Sequence, residues 1–337
     1  MRLGVLDIGS NTVHLLLVDA HPGGRPLPFA SHKKPLQLVA YLEGDGSISR
    51  AGQDELIGFV QEAREFATRH RAEDFLAFCT SAIRESANGS EVLTRVREET
   101  GVDLQELSGD QEAAVTFQAV RRWYGWASDS ILNFDIGGGS FEMAMGVNEL
   151  PGVALSVPLG AGRLTREWLR GDPPSAKQVN ALRRHIRAVL GECVPQFAHL
   201  GAPHLVTASS KTFRSLARMA GAAPSAAGPF VRRELRHVDL TLWARRLAAM
   251  SSADRAELDG VSELRAPQVL AGALVAECAL ELFEVPSVEI CPWALREGVL
   301  LRRFDAKMFD AVEPLPGARL GHAELDSVRR PSVHEGV

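Results

Sequence analysis

The chain has 337 residues, 45% of them hydrophobic and 23% charged, which is typical of a soluble globular protein long enough for two domains. A formal net charge of −5 gives no overall positive field, so nucleic acid and anionic membranes are not expected as partners. The four cysteines lack zinc-site or disulfide-scaffold spacing, and there is no signal peptide or apolar run of ~18 residues, so we expect a cytoplasmic protein.

Strands and helices are predicted to alternate in the first part of the chain. Leu3–Val5 and Val13–Val18 are apolar and flank a turn rich in glycine and polar residues, which predicts two strands. Apolar residues at helical spacing predict a helix within residues 47–72, and a buried strand follows at Phe75–Cys79. The next predictions are a helix with Ser90 as N-cap and Gly101 as its end, then a short strand, a turn at Ser108–Asp110 and another helix.

The second part of the chain repeats this alternation. Two strands are predicted within residues 131–146, and a long amphipathic helix within residues 175–201. A strand, a turn rich in hydroxyl groups and a helix follow within residues 204–221. A buried apolar helix is expected within residues 266–285. From about Ala311 the chain has no periodicity, and we expect residues 311–337 to be a disordered tail.

An internal repeat relates the two parts. The segments LGVLDIGSNTVHLLLVDA and ILNFDIGGGSFEMAMGVN share Asp-Ile-Gly, at Asp7 and Asp135, between an apolar strand and a second apolar strand. The interval of 128 residues is that of a domain and not of a short solenoid repeat. Each copy predicts a hairpin with a wide loop. A dinucleotide fingerprint is excluded because Glu142 stands where the third glycine should be, and no Gly-Lys-Ser/Thr of a Walker loop is present.

The composition of these loops is that of a phosphate-binding turn. Glycines without Cβ let backbone N–H groups approach an anion, and neighbouring hydroxyl and amide groups add donors. The alternative is a pair of glycine hairpins that merely turn the chain, which does not call for an acid at the same place twice. The predicted phosphate-binding residues of the two loops are Ser10, Asn11, Thr12, Gly137, Gly138, Gly139 and Ser140.

Acidic residues beside phosphate-binding loops indicate a divalent cation. A carboxylate at the end of each first strand would repel phosphate unless a cation lay between them, so Asp7 and Asp135 are predicted metal-associated residues. Glu142 lies on the returning strand, where it can face the same ion. Mg²⁺ is favoured because it binds through carboxylate, water and phosphate oxygens, and Mn²⁺ is the alternative.

Several segments together resemble the exopolyphosphatase/guanosine pentaphosphate phosphohydrolase (Ppx/GppA) family. They are LDIGSNTVHLLLVD, CTSAIRESANG, LSGDQEAAVTF, FDIGGGSFEM, PLGAGRLT, TASSKTFRSLA and WALREGVLL, in family order and at family distances over about residues 1–305. Other segments, such as EICPWALREG, look closest to the actinobacterial short forms. Those forms lack the additional C-terminal helical domains of longer relatives, and this chain is similarly short.

The resemblance implies an α/β protein with two ribonuclease-H-like domains of the actin–hexokinase–Hsp70 superfold and an interdomain cleft. We expect an N-terminal domain over residues 1–124 and a C-terminal domain over residues 125–305, with the last helix free to pack back on the first domain. A homodimer is expected from the family.

The resemblance also implies roles for individual residues. The family's catalytic base corresponds to Glu112 in LSGDQEAAV, and the residue before it, often a second acid in the family, is Gln111 here. Without the resemblance, Glu112 would read as a helix-capping glutamate after Ser108. Arg84 matches a phosphate contact. A third anion loop, Thr207 to Thr212, includes Ser209, Ser210 and Lys211, and Lys211 replaces a common glycine, so it is either an added phosphate ligand or a solvent-facing variant.

The expected function is an Mg²⁺-dependent exopolyphosphatase that hydrolyses the terminal phosphate of short inorganic polyphosphate with water activated by Glu112. The same residues would suit the 5′-phosphate of pppGpp or another nucleotide, and the sequence does not separate these substrates. A kinase of the same superfold, or a non-catalytic nucleotide switch, is a further alternative. His14, within an apolar strand, is expected to be a core residue and not a metal ligand.

Overall fold

The computed structural model describes residues 1–21, 24–36 and 38–311, so the tail predicted for residues 311–337 lies outside them apart from Ala311. Two mixed β-sheets form the framework of this part of the chain. The first sheet has the order β3-β2-β1-β4-β5, in which β1, β2 and β3 are antiparallel and β1, β4 and β5 are parallel. Its strands are β1 Arg2–Ile8, β2 Val13–Asp19, β3 Pro28–Lys34, β4 Asp74–Cys79 and β5 Leu104–Glu106.

The second sheet repeats the topology of the first. Its order is β10-β11-β9-β6-β7-β8, with β6, β7 and β8 antiparallel and β6, β9 and β11 parallel. Strands β6 and β7 therefore correspond to β1 and β2, as the sequence repeat predicts. The strands are β6 Ile131–Ile136, β7 Phe141–Gly146, β8 Val153–Val157, β9 Leu205–Ala208, β10 Glu234–Arg236 and β11 Ser287–Ile290.

Helices cover the sheets, and their apolar faces form the cores. The long helices predicted from periodicity are all present, and α10 is buried along almost its whole length, as expected. The helices are α1 Arg50–Arg69, α2 Ser81–Arg84, α3 Gly89–Thr100, α4 Gly109–Tyr124, α5 Ala161–Trp168, α6 Ala176–Phe197, α7 Lys211–Met219, α8 His237–Ala249, α9 Ser252–Ala256, α10 Val269–Leu282 and α11 Leu295–Ala311. Short 3-10 helices occur at Leu38–Tyr41, Trp126–Ser128, Ala198–Leu200 and Ser225–Ala227. Among the described residues, none of these helices combines the length and apolarity that crossing a bilayer requires.

Two details differ from the sequence prediction. Helix α3 begins after Asn88, so Ser90 lies inside it and is not the N-cap, whereas Gly101 ends it in the left-handed conformation as predicted. Strand β3 was not predicted because it lies at the sheet edge and carries polar residues that break the alternation of a half-buried strand.

Helix α4 supplies Glu112 and packs on the second sheet. Ser108 caps the helix in a reciprocal capping box with Gln111, the third helical residue. Glu112 is therefore not the capping residue, and its side chain is free for another role. Ala113, Phe117 and Val120 pack in a core cluster that includes residues of β6 and β7. The domain division between residues 124 and 125 stays a prediction.

The two glycine turns pack against each other. A Cβ on Gly138 would lie 2.9 Å from the Cβ of Ser10, and one on Gly139 would lie 2.3 Å from Oγ of Ser81. Gly160, which precedes α5, lies closer still, since a Cβ there would be 2.2 Å from the backbone carbon of Gly139. Close packing, against side chains at Gly138 and Gly139 and against backbone at Gly160, therefore favours glycine at these positions independently of any ligand.

We predict that Gly160→Ala destabilises the fold by roughly 1–3 kcal/mol, because the added methyl group overlaps the backbone of the second glycine turn. The matched control is Gly191→Ala, in the middle of α6, where a Cβ meets no atom within 4 Å. That control should raise the free energy of unfolding by about 0.5–1 kcal/mol through helix propensity. Urea unfolding of the three proteins tests this, and equal effects of both substitutions would contradict the packing argument.

Candidate active site

A cleft of about 430 Å³ lies where the hairpins of the two sheets meet. It collects nearly all of the predicted site residues from both sheets and from α4. Arg84 and Gly139 are the predicted residues outside its lining. The predicted residues on the cleft wall are Asp7, Ser10, Asn11, Thr12, Glu112, Asp135, Gly137, Gly138, Ser140, Glu142, Ser209, Ser210 and Lys211.

The two hairpins present their acids in the same way. Each turn has four residues and is closed by the same backbone hydrogen bond, Gly9 N to Thr12 O at 3.2 Å and Gly137 N to Ser140 O at 2.9 Å. Asp135 lies directly across from Glu142 on adjacent strands, which places both side chains on one face. In the first hairpin the partner of Asp7 is His14. His14, which the sequence predicts as a core residue, is half-buried, lines the cleft and contacts the Arg296 guanidinium through Nδ1.

The acids of the cleft resist ionisation. Burial raises the pKa of Asp7 to about 6 and that of Glu112 to about 7, against ordinary values near 4. The pKa of Asp135 is also raised by burial, and that of Glu142 lies well above its ordinary value because of burial and the nearby charges of Glu112 and Asp135. Four carboxyl groups in one low-dielectric cleft repel one another, so the site favours a cation or protons between them.

Glu112 is held by Arg84. The guanidinium donates to the Glu112 carboxylate and to the carbonyl of Leu107. Arg84 was predicted to contact phosphate, but its ion pair with Glu112 keeps it behind the carboxylate, and it lines a neighbouring cavity and not the cleft. This pairing has no signal in the sequence, because the two residues lie 28 positions apart.

Hydroxyl groups orient two further acids of the cleft, Glu142 and Asp135. Ser156 donates to Oε1 of Glu142 at 2.8 Å, and Ser209 donates to Oδ2 of Asp135 at 2.7 Å. Behind Ser209, the buried amide of Asn133 donates to Ser209 Oγ at 3.2 Å. Ser209 was predicted to bind phosphate, and in the structure its hydroxyl proton is directed to a carboxylate.

Five basic residues line the rest of the cleft. Burial, and after it the nearby charge of Arg214, lower the pKa of Arg265 to about 10. The pKa values of Lys33, Lys211 and Arg214 are lowered as well, first by burial and then by the other cations of the group. The group is Lys33, Lys211, Arg214, Arg265 and Arg296, which we call the cationic wall. The sequence did not single out Lys33, Arg265 and Arg296, because they lie in three distant parts of the chain. Lys33 is in β3, Arg265 is in the segment before α10, and Arg296 is in α11.

The charges of the cleft are arranged from acidic to basic. Glu112 and Glu142 are buried, whereas Asp7 and Asp135 are half-buried. Nε of Arg296 lies 3.9 Å from Oδ2 of Asp7, so the cationic wall begins beside that acid. The cationic wall follows and ends at Lys33 and Lys211, whose side chains are exposed to solvent. The mouth of the cleft is therefore basic and its interior is acidic.

Asn11 has a different contact from the one predicted. Its side-chain amide forms reciprocal hydrogen bonds with the amide of Gln268, at 3.3 and 3.0 Å. Ser10 Oγ is 3.2 Å from Ser81 Oγ. These contacts link the first turn to α10 and α2, so two predicted phosphate donors also hold the walls of the cleft together.

The donor set fits a hard divalent cation held partly by the protein. The acids that face one another supply oxygen ligands, which Mg²⁺ and Mn²⁺ accept. No group of three or more His, Cys, Asp or Glu side chains arranged for a metal occurs within residues 1–21, 24–36 and 38–311. A cation there would take its remaining ligands from water and substrate, as Mg²⁺ usually does.

Comparison with known proteins identifies the family. The sequence profile described as the Ppx/GppA phosphatase family matches residues 17–307. The chain belongs to the Ppx/GppA phosphatase family. It is 53% identical over 307 residues to exopolyphosphatase 1 of Mycobacterium tuberculosis, a match that covers 91% of this chain and 89% of the relative.

Solved structures of Ppx/GppA proteins have the same fold. The crystal structure of an exopolyphosphatase from Cytophaga hutchinsonii has a TM-score of 0.80 and 25% identity, covering 93% of this chain and 99% of that one. The Ppx/GppA family member from Aquifex aeolicus has a TM-score of 0.77 and 24% identity, covering 91% of this chain and 98% of that one. The predicted α/β fold with two related sheets is confirmed.

We predict that Glu112 makes the metal-free protein less stable at high pH. Its folded-state pKa of about 7 exceeds the ordinary 4.5, so the folded state binds the extra proton. The stability contributed by protonated Glu112 is complete below about pH 4.5 and is lost as the pH rises through about 7. The free energy of unfolding should therefore fall more steeply between about pH 5 and about pH 8 in the wild type than in Glu112→Gln.

Urea unfolding in the presence of a chelator measures this slope. The control is Glu91→Gln, an exposed acid in the first turn of α3, which should keep the wild-type slope. Identical slopes for the wild type and Glu112→Gln would contradict the raised pKa.

Proposed function

We propose that this protein is an exopolyphosphatase of the actinobacterial short form, which hydrolyses the terminal phosphate of inorganic polyphosphate. The observation that carries this proposal is the charge gradient of the cleft, from Lys33 and Lys211 at the mouth to Glu112 and Glu142 at the inner end. The 53% identity to a mycobacterial exopolyphosphatase 1 supports the same activity.

The cationic wall suits a phosphate chain. Burial and the other cations of the wall lower the pKa values of Lys33, Lys211, Arg214 and Arg265, and no ion pair to the guanidinium groups of Arg214 and Arg265 is found among the described residues. A polyanion lying along the wall would neutralise several cations at once. Because the wall has only five cationic side chains, we propose that short chains are the preferred substrates.

The proposed base is Glu112, one of the buried acids of the cleft. Glu112 accepts a proton from a water molecule, and the water oxygen attacks the terminal phosphorus. The bond between that phosphorus and the bridging oxygen breaks, and the bridging oxygen stays on the chain, which is one unit shorter. Orthophosphate is the other product. The ion pair with Arg84 holds the carboxyl in position. Its raised pKa, about 7, suits a general base that acts near neutral pH.

The proposed cofactor is Mg²⁺, with Mn²⁺ as a substitute. Asp135 and Glu142, which face one another on adjacent strands, would hold it together with water and substrate oxygens, and Ser209 and Ser156 fix these two carboxylates through hydrogen bonds. When bound, the ion neutralises phosphate charge beside the carboxylates. The glycine turns, with Ser10, Thr12, Ser140 and Ser210, are proposed to bind the terminal phosphates.

The lining of the cleft favours inorganic polyphosphate over pppGpp. Within the described part of the chain, no Phe, Tyr or Trp side chain lines the cleft on which a purine base could stack. Glu112 as the base also argues against a kinase, which usually employs an aspartate. We further propose a cytoplasmic homodimer, which size-exclusion chromatography with light scattering would test. Incubation with pppGpp, or with ATP and acceptor molecules, separates the alternatives by the product formed.

We predict that Glu112→Gln lowers kcat by about 10²–10⁴, because the amide cannot accept the proton of the attacking water. KM for short polyphosphate should change little, since the substitution keeps the shape of the side chain. The measurement is phosphate release with Mg²⁺, and Glu91→Gln is the matched control at an exposed helical position. Turnover of Glu112→Gln at the wild-type rate would contradict the proposed base.

We predict that Lys33→Ala with Lys211→Ala raises KM for polyphosphate about tenfold, with little change in kcat, because the exposed lysines bind the chain away from the reacting bond. The effect should shrink at high salt, which screens exposed charges. Lys177→Ala, an exposed lysine at the start of α6, is the control. An unchanged KM in the double variant would show that the chain takes another route.

A further inference from the structure

A second cavity, which we call the side cavity, adjoins the acidic end of the cleft. Its volume is about 250 Å³, which is several times the ~30 Å³ of one water molecule in the liquid. Ser140 lines both spaces. The side cavity is lined by Arg84, Glu85, Ser108, Gly109, Asp110, Ser140, Ser156, Val157 and Pro158.

The partition between the two spaces consists of side chains that hold the inner carboxylates. Arg84 pairs with Glu112, and Ser156 donates to Glu142. The acids line the cleft, whereas their partners line the side cavity. A guanidinium and two hydroxyl groups can turn about single bonds, so opening this partition requires no movement of the backbone.

The side cavity leads from this partition to solvent. Its inner end is formed by Arg84, Ser140 and Ser156, which are buried or half-buried. Its outer rim is formed by residues with exposed side chains, namely Glu85, Ser108, Asp110 and Pro158. With the partition open, it would connect the acidic end of the cleft to the surface on a side other than the basic mouth.

The proposed reaction needs such a path. In phosphoryl transfer the attacking and leaving oxygens are roughly in line across the phosphorus. Because the leaving chain lies along the cationic wall, the water attacks from the side of Glu112, and the released phosphate moves toward that side. The shortened chain still fills the mouth, so phosphate that left by the mouth would have to wait until the chain dissociated.

We infer that orthophosphate, released by the activity proposed above, leaves through the side cavity while the shortened chain stays bound along the cationic wall. Arg84, Ser140 and Ser156 are the groups that pass the phosphate outward. Asp110 and Glu85 at the rim carry negative charge, which keeps affinity for phosphate low and suits a path of release.

Filling the side cavity tests this inference. Pro158→Trp, and separately Asp110→Trp, place an indole at the exposed rim, and both should lower steady-state turnover about tenfold by slowing product release. Rapid quenching should show a burst of one phosphate per active site, and the single-turnover rate should stay within about twofold of wild type. Glu91→Trp, likewise an exposed acid in the first turn of a helix, is the matched control for Asp110→Trp.

The outcomes separate this inference from the proposed function. If the wild type releases no phosphate from polyphosphate, the proposed function fails. If the wild type is active and Pro158→Trp and Asp110→Trp turn over at the wild-type rate, or lose single-turnover rate in parallel, the exit path is overturned.

A measurement on the wild type alone gives a second test. If phosphate leaves first while the chain is still bound, added orthophosphate should be a mixed inhibitor with respect to polyphosphate. Strictly competitive inhibition by phosphate would overturn the inference.

Discussion

The structure depends on holding a group of acidic side chains next to a group of basic side chains in one partly buried cleft. Burial raises the pKa values of the acids, and it lowers those of the bases. Neither set is fully neutralised by the other, because the acids lie at the inner end and the bases line the way out. The free energy of both sets would be lowered by a phosphate chain with a divalent cation, which brings negative charge to the basic residues and positive charge to the acidic ones.

The repeated hairpins create this arrangement. Each sheet ends its first strand with an aspartate, and the glycine turns allow the two hairpins to approach until Gly138 and Gly139 touch Ser10 and Ser81. The repeat is not symmetric in its chemistry, since Glu142 faces Asp135 whereas His14 faces Asp7. Both glutamates at the inner end therefore come from the second sheet and its packing helix.

Much of this could be predicted because it is local in the sequence. Asp7 and Asp135 share a motif, strands and helices follow from periodicity, and the family resemblance led to Glu112. The remaining features depend on tertiary contacts. The partners of Arg84 and Asn11 lie 28 and 257 residues away, and the sequence predicts phosphate contacts for both, for Arg84 from the family resemblance and for Asn11 from its side-chain donors. Arg265 lies in no motif, and the segment WALREGVLL, which contains Arg296, carries no signal that this side chain lines the cleft.

A crystal structure of Glu112→Gln with Mg²⁺ and a short polyphosphate would test the central claim most directly. We expect the terminal phosphate beside residue 112 and the glycine turns, the cation between that phosphate and Asp135 with Glu142, and the chain running past Arg214 and Arg265 toward Lys33 and Lys211. A chain bound in the opposite direction, or outside the cleft, would contradict the account.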